Sequence, residues 1–369
     1  MEWQPTAAEG LRSTPGPPLV MKPKAASCHI GVVLRSLLVA SIVSLAIGVA
    51  SGCGGSGTGL TPAAEPAKSP PLERSPAGRT VAVGNKPEGM VADARTRVLA
   101  VGLTNPDLLA LIDMDSGEVL RRIPLPESPR HLRLAKPGGP VLVPSERSNE
   151  LVEVFLPGGR TRVTQVGRFP HDAASDGRGR IFVGDELGDT MSVIERGEVV
   201  ERLHAPVAPG GVVTSTDGGL VAVLGVRERA LELFDTQTLE RLGKIDVGVG
   251  PTHVEARGER FFVVDTRGES LLEVLTDPEL KIHRRSALPG TPYGISFDPR
   301  SKSFWVTLTE TNEVLEVTDR RILRRYPAVR QPNTVAVDPM TGRVYVASRT
   351  DGTLQTIDPR RDPGQEVPK

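Results

Sequence analysis

Residues 332–358 read PNTVAVDPMTGRVYVASRTDGTLQTID, and this stretch decides the fold. Apolar and polar residues alternate in three short runs, at 335–337, 343–346 and 353–357, and Asp, Pro and Gly residues separate the runs. Alternation with a period of two predicts short β-strands, and the separating residues are typical of turns. The stretch therefore predicts a small antiparallel sheet.

The same pattern occurs seven times along the chain, each time beginning at a proline. The prolines are Pro87, Pro129, Pro170, Pro209, Pro251, Pro292 and Pro332. They are 42, 41, 39, 42, 41 and 40 residues apart, and the residue three positions after each is apolar. Units of this length with about four strands each are typical of propeller blades. The sequence predicts an all-β fold, a seven-bladed β-propeller.

The two ends of the repeat region predict how the ring closes. The last repeat has three strands and stops after Asp358 and Pro359. Before the first repeat, Thr80 to Val83 form a strand-like segment in the register that fourth strands keep before the other repeat prolines. We expect this N-terminal strand to complete blade seven, which closes the ring and removes an exposed sheet edge.

Several repeats resemble those of known propeller families. Residues 98–119 and 342–358 resemble repeats of the YVTN family. In blade six, residues 292–295 followed by 304–307 are similar to repeats of streptogramin lyase relatives. The resemblance covers about residues 79–359 and implies an extracytoplasmic propeller. Because such propellers have varied roles, the function must be argued from the site.

The N-terminal region contains the parts of an export signal. Lys22, Lys24 and Arg35 precede or begin an apolar run at 37–49, and small residues lead to Cys53. This arrangement resembles a bacterial lipoprotein signal, in which the cysteine is acylated and becomes the mature N-terminus. The alternatives are an uncleaved membrane anchor over residues 30–50 and an ordinary export signal without lipidation. Either way we expect the rest of the chain to lie outside the cytoplasm, because the basic flank stays inside.

These features divide the chain into four parts. Residues 1–52 are an N-terminal extension with the export signal, 53–78 a flexible Gly/Pro-rich tether, 79–360 the propeller and 361–369 a C-terminal tail. Both cysteines, Cys28 and Cys53, precede the propeller, so neither a disulfide nor a thiolate metal site is predicted within it.

Charge composition argues against a polyanionic partner. Lys plus Arg number 45 and Asp plus Glu number 45, so no net field attracts nucleic acid. We expect no nucleic-acid partner, a monomer, and membrane attachment through a lipid on Cys53. The ligand, a small molecule or another protein, stays open.

The residues that begin the innermost strands should converge on one mouth of the central channel. Three of the six histidines fall in this set. Blade four carries Gly210 and Gly211 there and so presents no side chains; the pair either opens a slot or, as we favour, forms a tight turn. The predicted ligand-binding residues are Glu88, Arg130, His131, His171, Asp172, Thr252, His253, Tyr293 and Asn333.

Some of these side chains could carry chemistry. His171 and Asp172 are the candidates for acid–base work, and together with His131, His253 and Glu88 they could hold a divalent metal ion. Against a shared site, His253 belongs to a blade two further round the ring than His171. In the alternative interpretation, the side chains bond to neighbouring strands or to channel water.

Two functions stay open at this stage. The first is a binding or interaction module on the cell envelope, and we favour it because the sequence has no phosphate loop, nucleophile elbow or paired cysteines. The second is a metal-assisted lyase or lactonase with its site at the channel mouth. The presence of a metal cofactor is left open.

Overall fold

The computed structural model describes residues 60–367, so the export signal and Cys53 lie outside the described residues. The described chain forms seven antiparallel sheets arranged as a ring, and the predicted seven-bladed β-propeller is confirmed. Between residues 60 and 367 there is no helix of the length and apolar character needed to cross a membrane.

Each blade is a sheet whose strands follow one another outward from the channel. The chain enters the ring at β1 (Arg79–Ala82). Blade 1 contains β2 (Met90–Asp93), β3 (Val98–Leu103), β4 (Leu108–Asp113) and β5 (Val119–Pro124). Blade 2 contains β6 (Arg133–Leu134), β7 (Val141–Ser145), β8 (Glu150–Phe155) and β9 (Arg160–Gln165). Blade 3 contains β10 (Pro170–Ser175), β11 (Arg180–Asp185), β12 (Thr190–Glu195) and β13 (Glu198–His204).

The second half of the ring repeats this order. Blade 4 contains β14 (Pro209–Thr214), β15 (Leu220–Gly225), β16 (Ala230–Asp235) and β17 (Arg241–Asp246). Blade 5 contains β18 (Pro251–Arg257), β19 (Arg260–Asp265), β20 (Ser270–Leu275) and β21 (Lys281–Ala287). Blade 6 contains β22 (Pro292–Asp298), β23 (Ser303–Leu308), β24 (Glu313–Val317) and β25 (Ile322–Pro327). Blade 7 contains β26 (Pro332–Val337), β27 (Val344–Ser348) and β28 (Thr353–Ile357), and β29 (Gln365–Glu366) follows it.

Blade 7 is completed by the N-terminal strand, as predicted. Strand β1 pairs antiparallel with β28, and Val81 lies opposite Leu354. The C-terminal β29 adds a fifth strand to blade 6, where Gln365 lies opposite Arg325 of β25. The first and last strands of the described residues therefore pair with strands that would otherwise be sheet edges.

The hydrophobic core is divided among the blade interfaces. Each of seven clusters of buried residues joins two successive blades. Phe262 and Phe304, for example, meet between blades 5 and 6 with ring centroids 4.3 Å apart. The seventh cluster packs Leu99 of blade 1 against Tyr345 and Leu354 of blade 7. Because each blade buries both faces, every interface, including the closing one, contributes hydrophobic stabilisation.

Residues 60–78 differ from the flexible tether expected from their composition. They contact the ring, and the methyl group of Ala64 is buried. Arg74 forms an ion pair with Glu313, and Ala77 donates a hydrogen bond to the carbonyl of Pro327. The composition suggested a tether because the segment has few large apolar side chains that could pack against the ring, yet backbone amide and carbonyl groups of the segment bond to the ring. We call residues 60–71 the strap.

Candidate functional site

A repeated irregularity directs side chains toward the channel mouth. In five blades the register between the two innermost strands shifts just after the repeat proline, as between Pro170 and Asp172 or between Pro251 and His253. Such a bulge leaves a residue unpaired and re-aims the side chains beside it. The repeat proline therefore marks the place where each blade presents residues at the mouth.

The channel contains a cavity of about 310 Å³ to which all seven blades contribute. Its lining includes five of the nine predicted site residues, namely Glu88, His131, His253, Tyr293 and Asn333. The other four do not line it: Arg130, His171, Asp172 and Thr252. Thr252 is turned toward Thr266, with the two hydroxyl oxygens 2.7 Å apart.

Four aromatic rings from different blades form a continuous row at the mouth. The ring of His131 stacks on that of His253, with centroids 4.6 Å apart and an interplanar angle of 24°. His171 meets the other side of His131 edge-on at 4.8 Å, and Tyr293 meets His253 edge-on at 4.6 Å. His253 therefore joins the other histidines although it belongs to a blade two further round the ring than His171, and the expectation against a shared site is wrong. The order of the blades decides which blades are adjacent in the ring. Side chains that point into the channel can still meet across it when their blades are not adjacent.

The glycines of blade 4 have a different role from the predicted one. Gly210 and Gly211 lie within β14 and neither has a left-handed backbone conformation, so they are not tight-turn residues. A Cβ on Gly210 would lie 2.8 Å from a methyl group of Val226, and one on Gly211 would lie 3.1 Å from Val254. The close packing is possible only because both residues lack a side chain. Blade 4 consequently adds no side chain to the row of rings.

His171 lies between two carboxylates that the sequence analysis did not select. Its Nδ1 is 2.8 Å from Oε2 of Glu186 and 3.2 Å from Oε1 of Glu146, although its N–H direction is aligned with neither oxygen. One ligand atom from each of the three residues lies within 4.8 Å of the other two. The group could share a proton or hold a divalent cation.

The pKa values of the three histidines shift in different directions for identifiable reasons. Burial lowers the pKa of His171, but the carboxylates of Glu146 and Glu186 outweigh burial, and its pKa is raised above the usual value. Burial lowers the pKa of His131 despite the nearby Asp172 carboxylate. Burial and the adjacent His131 hold the pKa of His253 well below its usual value. At neutral pH the mouth therefore contains neutral imidazoles at His131 and His253.

Asp172 and Arg133 tie the two sides of the channel together. Asp172 accepts hydrogen bonds from the backbone N–H groups of Ala173 and Val212, and its oxygens lie 3.4 Å from Nε of Arg133 and 3.6 Å from Nδ1 of His131. Burial opposes its ionisation, yet the charge of Arg133 holds the pKa of Asp172 well below its usual range. Arg133 also donates to the carbonyl of Val254 in blade 5 at 2.8 Å. These contacts give Asp172 a structural role beneath the mouth.

Glu88 forms the centre of a second charged group. It is ion-paired with Arg130 at 3.2 Å and with Arg349 of blade 7. Arg130 also reaches Glu146, with Nε 2.9 Å from Oε1. The amide oxygen of Asn333 accepts a hydrogen bond from Gln331. Opposite charges are thus interleaved around the mouth.

Sequence reasoning missed Glu146, Glu186 and Arg349. Each is the first residue after the second strand of its blade, following β7, β11 and β27 respectively. Because strands alternate in direction, the turn after the second strand returns to the face where the innermost strand begins. The sequence signal for them is their shared position in the repeat, directly after the second strand.

Comparisons with known proteins show the fold. No family model and no curated protein matches the chain. Among solved structures, a streptogramin B lyase is similar with a TM-score of 0.65 at 13% identity, covering 76% of this chain and 96% of that chain. A catalytically inactive histidine-to-alanine variant of virginiamycin B lyase from Staphylococcus aureus with quinupristin has a TM-score of 0.64 at 15% identity, covering 75% and 97%. The mitotic checkpoint complex supplies a third, with a TM-score of 0.65 at 13% identity, covering 79% and 95%.

Enzymes and a subunit of an assembly are both among these similar structures. At identities this low the similarity establishes the propeller and leaves the activity to be argued from the site.

Proposed function

We propose that this chain is an exported, lipid-anchored propeller that acts as a binding module and takes a small polar ligand at the channel mouth. One observation carries the proposal: Glu88 and the rings of His131, His253 and Tyr293, which come from four separate blades, line a single cavity. Its volume of about 310 Å³ falls at the lower end of the range of roughly 300–1,000 Å³ for small-molecule sites. The export signal and Cys53 support the anchored location.

The state of the site favours binding. Glu88 is already neutralised by Arg130 and Arg349, and Asp172 by Arg133. His131 and His253 are neutral, so a free ring nitrogen of either can donate or accept a hydrogen bond. Burial raises the pKa of Tyr293 to about 12, which keeps its hydroxyl a hydrogen-bond donor. Such groups recognise a polar ligand without needing to react with it.

Thermal-shift screening with sugars, amino acids and carboxylic acids tests the proposal. A ligand at about 100 times its Kd stabilises the folded state by about 2.7 kcal/mol. We expect at least one compound to raise the Tm of the wild type, and His253→Ala and Tyr293→Ala to remove the shift. His283→Ala, which replaces an exposed histidine of β21, is the matched control and should retain it. A shift that survives both mouth substitutions would contradict the proposed site.

A second candidate function is metal-assisted chemistry, and the group of Glu146, His171 and Glu186 favours it. A divalent ion bonded at about 2.1 Å to each of several ligands holds them about 3 Å apart. The separations of 2.8 and 3.2 Å around Nδ1 of His171 match that spacing. The similarity to streptogramin B lyase makes a lyase, or else a lactonase, the enzyme class to consider.

Calorimetric titration with Mg²⁺, Mn²⁺ and Zn²⁺ distinguishes this candidate. If it is correct, one ion binds with micromolar affinity, and binding is lost in His171→Ala and Glu186→Gln. Binding should also weaken as pH falls, because a proton on His171 competes with the ion. Glu310→Gln, at the corresponding turn of blade 6, is the control. Heat signals that do not differ among the four proteins would remove the metal candidate.

A further inference from the structure

The strap is held to the ring by polar contacts from three blades. The guanidinium of Arg267 in blade 5 donates to the carbonyls of Pro62 and Ala63 at 2.9 and 2.8 Å. In blade 6, the hydroxyl of Thr309 accepts a hydrogen bond from the amide of Ala67 at 3.0 Å. Each contact engages the strap's backbone, so the ring binds its extended shape.

Gln331, just before blade 7, makes the most complete set of these contacts. Its Oε1 accepts from the amide of Ser69 at 2.9 Å, and its Nε2 donates to the carbonyl of Ala67 at 2.8 Å. Its own amide donates to the hydroxyl of Ser69 at 3.1 Å. The strap contains Pro62, Pro66, Pro70 and Pro71, and proline reduces the conformational entropy that is lost when such a segment is fixed.

All of these contacts lie on the face that contains the channel mouth. Arg267 and Thr309 follow the second strands of blades 5 and 6, and Gln331 precedes the innermost strand of blade 7. The carboxylate of Glu65 is close enough to Tyr293 and Arg349, both at the mouth, to affect their pKa values. The chain therefore reaches the ring on the mouth side, beside the candidate site.

We infer that the strap orients the propeller so that the channel mouth faces the membrane. The inference rests on the proposed lipid anchor. Cys53 precedes Leu60 by seven residues, which span at most about 25 Å when extended. A tether free as far as Arg79 would span about 90 Å. The strap thus changes a long tether into a short one that is attached at one face.

The charges of the mouth face are compatible with a nearby bilayer. Glu88 is paired with Arg130 and Arg349, and Oε1 of Glu146 lies 2.9 Å from Nε of Arg130. An anionic headgroup layer repels unpaired carboxylates. Because these carboxylates have cationic neighbours, the face can approach such a layer.

Distance-dependent fluorescence quenching tests the orientation. Full-length protein with Cys28→Ser is placed in phosphatidylethanolamine and phosphatidylglycerol vesicles that carry headgroup nitroxides. The reporter is a fluorophore on Leu187→Cys, in the turn after β11 on the mouth face, or on Met340→Cys, in the turn after β26 on the opposite face. Both native residues are exposed and apolar, so they form a matched pair. Mass spectrometry of the N-terminal peptide establishes acylation of Cys53 in the same samples.

We expect the mouth-face label to be quenched roughly twofold or more above the opposite-face label, given the reach of about 25 Å. The double variant Arg267→Ala/Gln331→Ala, checked by circular dichroism for an intact fold, should release the strap and equalise the two labels. Equal quenching in the acylated wild type, or stronger quenching of the opposite face, would overturn the orientation alone. An unmodified Cys53 would overturn the lipid anchor and the orientation together.

Discussion

His171 shows how the environment of one residue decides what it can do. Buried imidazoles ordinarily lose their proton, as His131 and His253 do, because burial penalises the charged form. Two carboxylates reverse this effect at His171. The same three ligand atoms could bind a cation in place of the proton, so the residue is central to both candidate functions.

Gly89 is the position at the mouth where a single methyl group should do most damage. Its φ is +74°, and a Cβ there would lie 1.8 Å from the backbone carbonyl oxygen of Arg130. We expect Gly89→Ala to lower the free energy of unfolding by more than about 3 kcal/mol, because the backbone of blade 2 must move.

Gly177→Ala is the control for this prediction. Gly177 has a similar φ of +73° but nothing lies within 4 Å of the added Cβ, so only the left-handed conformation is penalised, by about 1–2 kcal/mol. Urea unfolding of both variants measures the difference. Equal losses would mean that the close approach of Gly89 to blade 2 is absent in solution.

Individual site residues were predictable only as far as the repeat register reached. The proline register found His131, His171 and His253, because each follows a repeat proline closely. It could not find the stacking of His131 on His253, which depends on the width of the channel and on which side chains cross it. Turn residues such as Glu146 and Glu186 were not predicted because no neighbouring proline or alternating apolar run marks them.

At the scale of elements, β1 is the strand on which closure of the ring depends. Val81 packs against the cluster shared by blades 7 and 1, whereas its neighbour Thr80 is exposed. We expect Val81→Asp to lower the free energy of unfolding by about 2–3 kcal/mol, because it places a carboxylate against apolar side chains. Thr80→Asp should change it by less than about 0.5 kcal/mol.

Chemical denaturation of the two variants compares these values. If Val81→Asp were as stable as Thr80→Asp, the pairing of β1 with β28 would not contribute to closure. Strand β1 was predictable from sequence because the last repeat lacks a fourth strand. The segment before Pro87 has the position that fourth strands have before the other repeat prolines. The contacts of the strap were not predictable, since they are made by backbone groups that every sequence has.

At the scale of the whole molecule, the ring brings together residues that are far apart in the chain. Seven similar interfaces hold the blades, and small residues at Gly210 and Gly211 leave blade 4 without side chains in the row of rings. His131 of blade 2 and His253 of blade 5 stack directly on each other. Convergence is therefore the central feature of the molecule, because blades 2, 3, 5 and 6 all contribute side chains to one row of rings.

Titration of the imidazole signals of ¹⁵N-histidine-labelled protein by NMR measures this convergence most directly. We predict a pKa above 6.5 for His171 and values below 6.5 for His131 and His253. The substitution His131→Asn should raise the pKa of His253, because the positive charge of a protonated His131 disfavours a second one beside it. Three independent titrations near 6.5, with His253 unaffected by the substitution, would contradict the account.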